Sequence, residues 1–144
     1  MRVRALLLIA AGLVLVAAAP GGDDAKKMHG TWDIVEYEIQ GTKMPAGFLK
    51  KVKVIFEGDK FKFDTGDPNI KQMTYKIDAA KKPKQIDVTT EDAGAKTEYR
   101  GIYQLDGDTL KMCVFAKIAE RPTDFKSNPD VKSFLMVLKK QKAK

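Results

Sequence analysis

The amino-acid sequence predicts an all-β protein: an eight-stranded antiparallel up-and-down barrel that follows an N-terminal signal peptide. Three observations carry that prediction. Apolar and polar residues alternate in short stretches that recur every dozen or so positions from Gly30 to Leu138. Most of the stretches are joined by short links holding Gly, Asp, Pro or Lys, which suits antiparallel neighbours. No long amphipathic helix is visible. Eight such strands can close on themselves and leave no open edge, so a closed barrel is favoured over an open sandwich.

The chain begins Met1-Arg2-Val3-Arg4 and continues as an apolar run from Ala5 to Ala19. Two charges, an apolar stretch of about 15 residues and a small-residue end have the form of a secretory signal peptide. An uncleaved anchor is the alternative, but a spanning helix needs roughly 20 apolar residues. Cleavage is expected after Ala18 or Ala19, with Pro20 disfavouring the second. No Cys follows the run, so no lipid-modified terminus is expected. The chain therefore divides into a signal peptide at 1–19, a disordered polar lead-in at 20–28, a barrel domain at 29–140 and a basic tail at 141–144. The protein is expected outside the cytoplasm, periplasmic or extracellular, as a monomer with no stable membrane anchor.

The first strand, Gly30–Ile39, holds Trp32 and Ile34 on one face, then Val35, Tyr37 and Ile39 on the other. That change of phase predicts a bulge or bend near Ile34. Residues 41–51 contain Gly41, Pro45 and Gly47 and read as a loop with one helical turn across a barrel end. The second strand, 51–57, turns Val52, Val54 and Phe56 inward. Gly58-Asp59 is a two-residue hairpin turn, and Lys60–Asp64 follows with Phe61 and Phe63 inward. Residues 65–69 form a loop, and a strand at 70–78 places Met73, Tyr75 and Ile77 in phase. A basic loop at 79–84 leads to a strand at 85–90 with Ile86 and Val88 inward. A turn over 91–96 precedes a strand at 97–105, with Tyr99, Gly101, Tyr103 and Leu105 in phase. Asp106-Gly107-Asp108 turns the chain into Thr109–Ala116, where Leu110, Met112 and Val114 share a face. The long loop 117–130 leads to the last strand, 131–139, with Phe134, Met136 and Leu138 in phase.

Several chemistries are struck out by residue type. The chain has one histidine, His29, and one cysteine, Cys113, so a zinc ligand set is lacking. A Ser–His–Asp triad would need Ser127 or Ser133 beside a His held in packed structure, whereas His29 borders the lead-in. Asp64, Asp67 and Asn69 share a loop, but an EF-hand counted from Asp64 would need Gly at position 69 and Glu at 75, where Asn69 and Tyr75 stand. They read as turn formers. No Gly-rich phosphate loop or dinucleotide fingerprint appears, so neither a metal nor a cofactor is expected and the chain reads as a non-enzyme. Glu36 and Glu38 share the face of Trp32, leaving open a carboxylate at the barrel mouth. An exported chain with one cysteine has no internal disulfide, and Cys113 reads as a small apolar strand residue. Without Arg2 and Arg4 the chain keeps 24 basic and 19 acidic residues, a net charge of +5. Only Arg100 and Arg121 remain as arginines, and dispersed lysine argues against nucleic acid as a partner.

Gly30-Thr31-Trp32 resembles the Gly-x-Trp opening of lipocalins. Further along come Phe56-Glu57-Gly58-Asp59, Lys82-Pro83-Lys84-Gln85-Ile86-Asp87, the run from Gly101 to Lys111, Cys113, and Glu120-Arg121-Pro122-Thr123-Asp124-Phe125. Together these resemble a family of small exported lipocalin-like proteins, abundant in planctomycete bacteria, that has no assigned function. The resemblance spans essentially the whole mature chain. It departs at Cys113-Val114-Phe115-Ala116, where the family often has Cys-Phe-Ala. It implies a lipocalin-like barrel in which Trp32 closes one end. It also implies an arginine stacked on that ring, Arg121 or Arg100, through a cation–π contact. Pro122 then stiffens the 120–125 segment and Phe125 plugs a barrel end.

The function expected is an exported, non-catalytic barrel that holds a small apolar ligand, or else one filled solid by its own side chains. The candidate lining is Trp32, Phe56, Phe61, Phe63, Met73, Tyr75, Tyr99, Tyr103, Met112, Phe134 and Met136, with a gap at Gly101. The alternative is a protein-binding module, such as an inhibitor of an exported protease or lysozyme, acting through loops 41–51 and 117–130.

Overall fold

Strands that alternate in polarity have one apolar face to bury, and curling that face onto itself removes both sheet edges. The computed structural model, which describes residues 22–69 and 72–142, takes this solution. The expected signal peptide at 1–19 lies outside the described residues, as do the start of the strand expected at 70–78 and the end of the expected tail. The elements are α1 (Gly22–Met28), β1 (Gly30–Ile39), β2 (Thr42–Lys43), α2 (Ala46–Leu49), β3 (Lys53–Glu57), β4 (Lys60–Asp64), β5 (Gln72–Asp78), β6 (Gln85–Asp92), β7 (Ala95–Asp106), β8 (Thr109–Ala116) and β9 (Ser133–Lys140). From β3 onward each strand pairs antiparallel with the next, and β1 pairs with both β3 and β9. The result is a closed eight-stranded antiparallel barrel with one extra strand, β2, on the end of β1.

β1 is the closing strand. Its first half pairs with β3 from Gly30↔Phe56 to Asp33↔Lys53, while Trp32 to Ile39 pair with β9. The register along β9 shifts between Ile34 and Glu36, so the bend expected near Ile34 is a bulge with Val35 as its exposed extra residue. The bulge restores the inward phase: Trp32 and Ile34 before it and Tyr37 after it all join the core. It also turns Glu36 and Glu38 to the outer wall, opposite the mouth position left open by the alternation. Glu38 accepts a hydrogen bond from the Ser127 hydroxyl at 2.6 Å.

The disordered lead-in expected at 20–28, whose first two residues lie outside the described ones, is corrected over 22–28 by α1. Asp23 and Asp24 in its first turn and Lys26 and Lys27 in its last complement the helix dipole. Seven residues cannot hold a helix alone; Met28 and Asp24, both buried, dock it against one end of the barrel. The turn expected over 91–96 is also corrected. β6 runs on to Asp92 and β7 starts at Ala95, with Glu91 opposite Lys96 extending the ladder. Only Ala93 and Gly94 form the turn. The helical turn expected in 41–51 is α2, and Gly58-Asp59 makes the tight β3–β4 turn with Gly58 at a φ of 63°.

Every inward side chain expected from the alternation, Val52, Leu105 and Leu138 among them, belongs to one core cluster or packs against it, with Met28, Tyr37, Leu49 and Ala116 added. Aromatic rings run through it in edge and stacked contacts from Trp32 to Phe56, Phe61, Phe63, Tyr37, Phe134 and Tyr99. The gap expected at Gly101 is absent. A Cβ there would collide with the Cys113 carbonyl oxygen and sit 2.5 Å from Val114 Cγ1, so β8 crosses where a side chain would stand. Gly101→Ala therefore overpacks rigid backbone and is expected to cost about 3 kcal/mol or more. Urea unfolding measures this, and an unchanged midpoint would contradict the close approach.

Candidate functional site

One end of the barrel is sealed by α1. The Trp32 indole N–H donates to the Met28 carbonyl at 2.9 Å. Asp24 Oδ2 accepts hydrogen bonds from the Tyr103 hydroxyl and from Lys84 Nζ, each at 2.8 Å. Burial works against the Asp24 carboxylate, but the hydrogen bonds from Lys84 and Tyr103 and the charges of Lys84 and Lys27 outweigh it. Its pKa therefore lies below the usual 3.8. Burial, then the bond to Asp24, pushes the Tyr103 hydroxyl well above its ordinary value. The expected Trp32–Arg121 stack is corrected here. The cation over Trp32 is Lys140, 5.6 Å from the ring centre, and its ammonium also donates to the Lys27 carbonyl.

The candidate lining residues separate into two levels. Trp32, Met112 and Met136 have no accessible surface, and Phe56, Phe61 and Tyr103 have almost none, with Tyr75 close behind. A void that held even one water would expose its walls, so none adjoins Trp32, Met112 or Met136. Nearer the other end, Tyr99 is still buried, while Phe63, Met73 and Phe134 are only partly so. Tyr37, which the sequence reading left out, belongs to this level: it stacks on Phe63 at 5.7 Å and meets Phe134 edge-on. Burial pushes its hydroxyl up to about 12. A cleft of about 450 Å³ opens at this rim, lined by Phe63 of β4, Gln72 and Met73 of β5, Asn69, and Thr90, Glu91 and Asp92 of β6. Of its described lining residues, Phe63 and Met73 pack against the core.

The 117–130 segment does not plug an end through Phe125. It lies along the outer wall, where Phe125 and Phe115 cover a second apolar cluster of Ile102, Cys113 and Leu135. β7 and β8 are apolar on both faces here, a pattern that signals cover on both sides. Arg121 straps the segment down: Nη1 donates to the Gly101 carbonyl at 2.9 Å and to Asp87 at 2.8 Å. Cys113 Sγ lies 3.3 Å from the Lys126 carbonyl, and burial pushes the thiol up to about 11, which leaves it unreactive at neutral pH. Ser127 links the two loops expected to bind partners, accepting from the Gly41 N–H at 2.8 Å while donating to Glu38. The segment also lines an open cleft of about 630 Å³ that includes Arg121, Ser127 and Pro129.

The reactive residue types all have structural employment. His29 Nε2 accepts from the Gly58 N–H at 2.9 Å. The Ser133 hydroxyl caps the 128–131 turn. Asp64 and Asp67 accept the backbone N–H groups of Gly66 and Asn69, the turn-forming use read from the sequence. Among the described residues no helix is long and apolar enough to cross a membrane, and no three His, Cys, Asp or Glu side chains are grouped to hold a metal ion. Comparison with family models, with curated proteins and with solved structures returned no match.

Two substitutions test these anchors. The folded-state pKa of Asp24 is depressed, so its contribution is complete above the unfolded value near 3.8 and is lost as pH falls through the folded one. Asp24→Ala should cost about 2 kcal/mol at neutral pH, and the difference from the parent chain should shrink below pH 4 in acid-unfolding curves. Arg121→Ala should cost about 1 kcal/mol, because Asp87 is half exposed to solvent. Its clearer mark is faster amide exchange over 117–130, with the barrel strands unaffected.

Proposed function

We propose that the chain is an exported, non-catalytic, monomeric barrel that binds a small apolar ligand at the open rim rather than inside the barrel. The observation that carries this reading is the cleft at Phe63 and Met73, with the levels below it filled by the chain's own side chains. A site of this size suits a small ligand. A phenylalanine and a pliable methionine offer it apolar contact, while Asn69, Gln72 and Thr90 offer orienting hydrogen bonds. Export rests on the form of residues 1–19, and the grouping with small lipocalin-like planctomycete proteins rests on the motifs between Gly30 and Phe125.

A second reading, a protein-binding module such as an inhibitor of an exported protease or lysozyme, is favoured by Ser127. Its hydroxyl accepts from the Gly41 N–H and donates to Glu38, which joins loop 117–130 to the start of loop 41–51 and to β1. Native mass spectrometry of the chain from its own host separates the two, since a bound small mass supports the first and a co-purifying enzyme the second.

The rim site is testable directly with an environment-sensitive naphthylamine dye. Met73→Gln and Thr90→Trp should each weaken dye binding at least tenfold with little change in melting temperature. Undiminished affinity in both variants would remove the site. Sequencing the N-terminus of the exported chain checks the leader, with cleavage expected after Ala18 or Ala19.

A further inference from the structure

We propose a second binding site, for a small amphiphile with an anionic head such as an acyl carboxylate, in the cleft between residues 79–84 and the end of β7. The cleft measures about 370 Å³, and its floor is apolar, made chiefly by the half-buried Leu105 and Phe125. Its rim is cationic, carrying Lys81, Lys82 and Lys84. Lys84 is already compensated: its ammonium lies 2.8 Å from Asp24 and 5.9 Å from the centre of the Tyr103 ring. Lys81 and Lys82 are exposed, and among the described residues neither forms an ion pair. A further ammonium, that of Lys111, stands 5.4 Å from the centre of the Phe125 ring.

On the rest of the wall Lys53 meets Asp33 and Lys117 meets Glu98, while most lysines among the described residues stand unpaired as Lys81 and Lys82 do. What sets these two apart is the apolar cleft beneath them. The acids nearest the cleft are partly committed. Asp24 holds Lys84 and Tyr103, and Asp78 accepts the Ala80 N–H at 3.1 Å. Asp106 and Asp124 are exposed. Two unpaired ammoniums above an apolar floor fit a ligand that combines a short chain with a carboxylate. The chain leaves water against Leu105 and Phe125, and the head meets Lys81 and Lys82 as a charge-assisted hydrogen-bond acceptor. This site lies on β7, apart from the rim cleft of β4 to β6, and stands or falls independently of it.

Amide chemical shifts of the exported chain, titrated with decanoate, decyltrimethylammonium and inorganic phosphate, test the proposal. Decanoate should give saturable shifts at Lys81, Lys82, Lys84, Leu105 and Phe125, and the double variant Lys81→Gln, Lys82→Gln should bind it at least tenfold more weakly. Raised salt should weaken binding in the parent more than in the variant. Equal binding of decyltrimethylammonium, unchanged affinity in the variant, or decanoate shifts confined to Phe63 and Met73 would each overturn it. Inorganic phosphate binding as tightly as decanoate would also overturn it, because the apolar floor would then contribute nothing.

Discussion

The hydrogen-bonded return of β1 to β9 is the constraint on which the rest of the molecule depends. An open sheet of these strands would leave two unpaired edges and an apolar face half covered. Pairing β1 with β3 through its first half and with β9 from Trp32 onward removes both problems together. The bulge at Val35 makes that double pairing possible, because it adds one residue to β1 where the register must change. Without it, either Trp32 or Tyr37 would face solvent, and the chain of aromatic contacts through the interior would break.

Closure also decides where binding can happen. Eight strands enclose a space just wide enough for side chains, and this chain fills it with large ones. Trp32, Phe56, Phe61 and Tyr103 leave no room at the α1 end, and Gly101 lets β7 and β8 approach closely instead of leaving a hole. Free volume is displaced to the rim and to the outer wall. The clefts at Phe63 and Met73, beside Leu105, and under 119–131 are therefore products of how strands end and loops cover them.

The outer wall is not passive. Ile102, Cys113 and Leu135 give β7, β8 and β9 a second apolar face, and the 117–130 segment exists in one place because it covers them. Arg121 and Ser127 then fix that segment to β7 and to β1, so the cover is stapled at both ends. This arrangement converts a long loop, ordinarily a mobile element, into an anchored surface.

Period-two alternation and turn residues determined most of the wall: which residues of the regular strands face inward, the hairpin at Gly58-Asp59, and the change of phase near Ile34. Alternation is a local consequence of the pleat, so it survives in any strand whose one face is buried. What only the tertiary structure decided were the contacts between residues distant in the chain. The order of α1 was hidden because a seven-residue polar segment, even with charges that suit the helix dipole, cannot hold a helix until Met28 and Asp24 meet the barrel end. The place of Arg121 was equally hidden, since its partners at Gly101 and Asp87 are 20 and 34 residues away. The inward turn of Tyr37 depended on which residue the bulge consumed. A sequence records the polarity of each position, but which distant surface satisfies it is settled only when the sheet closes and the geometry brings the two together.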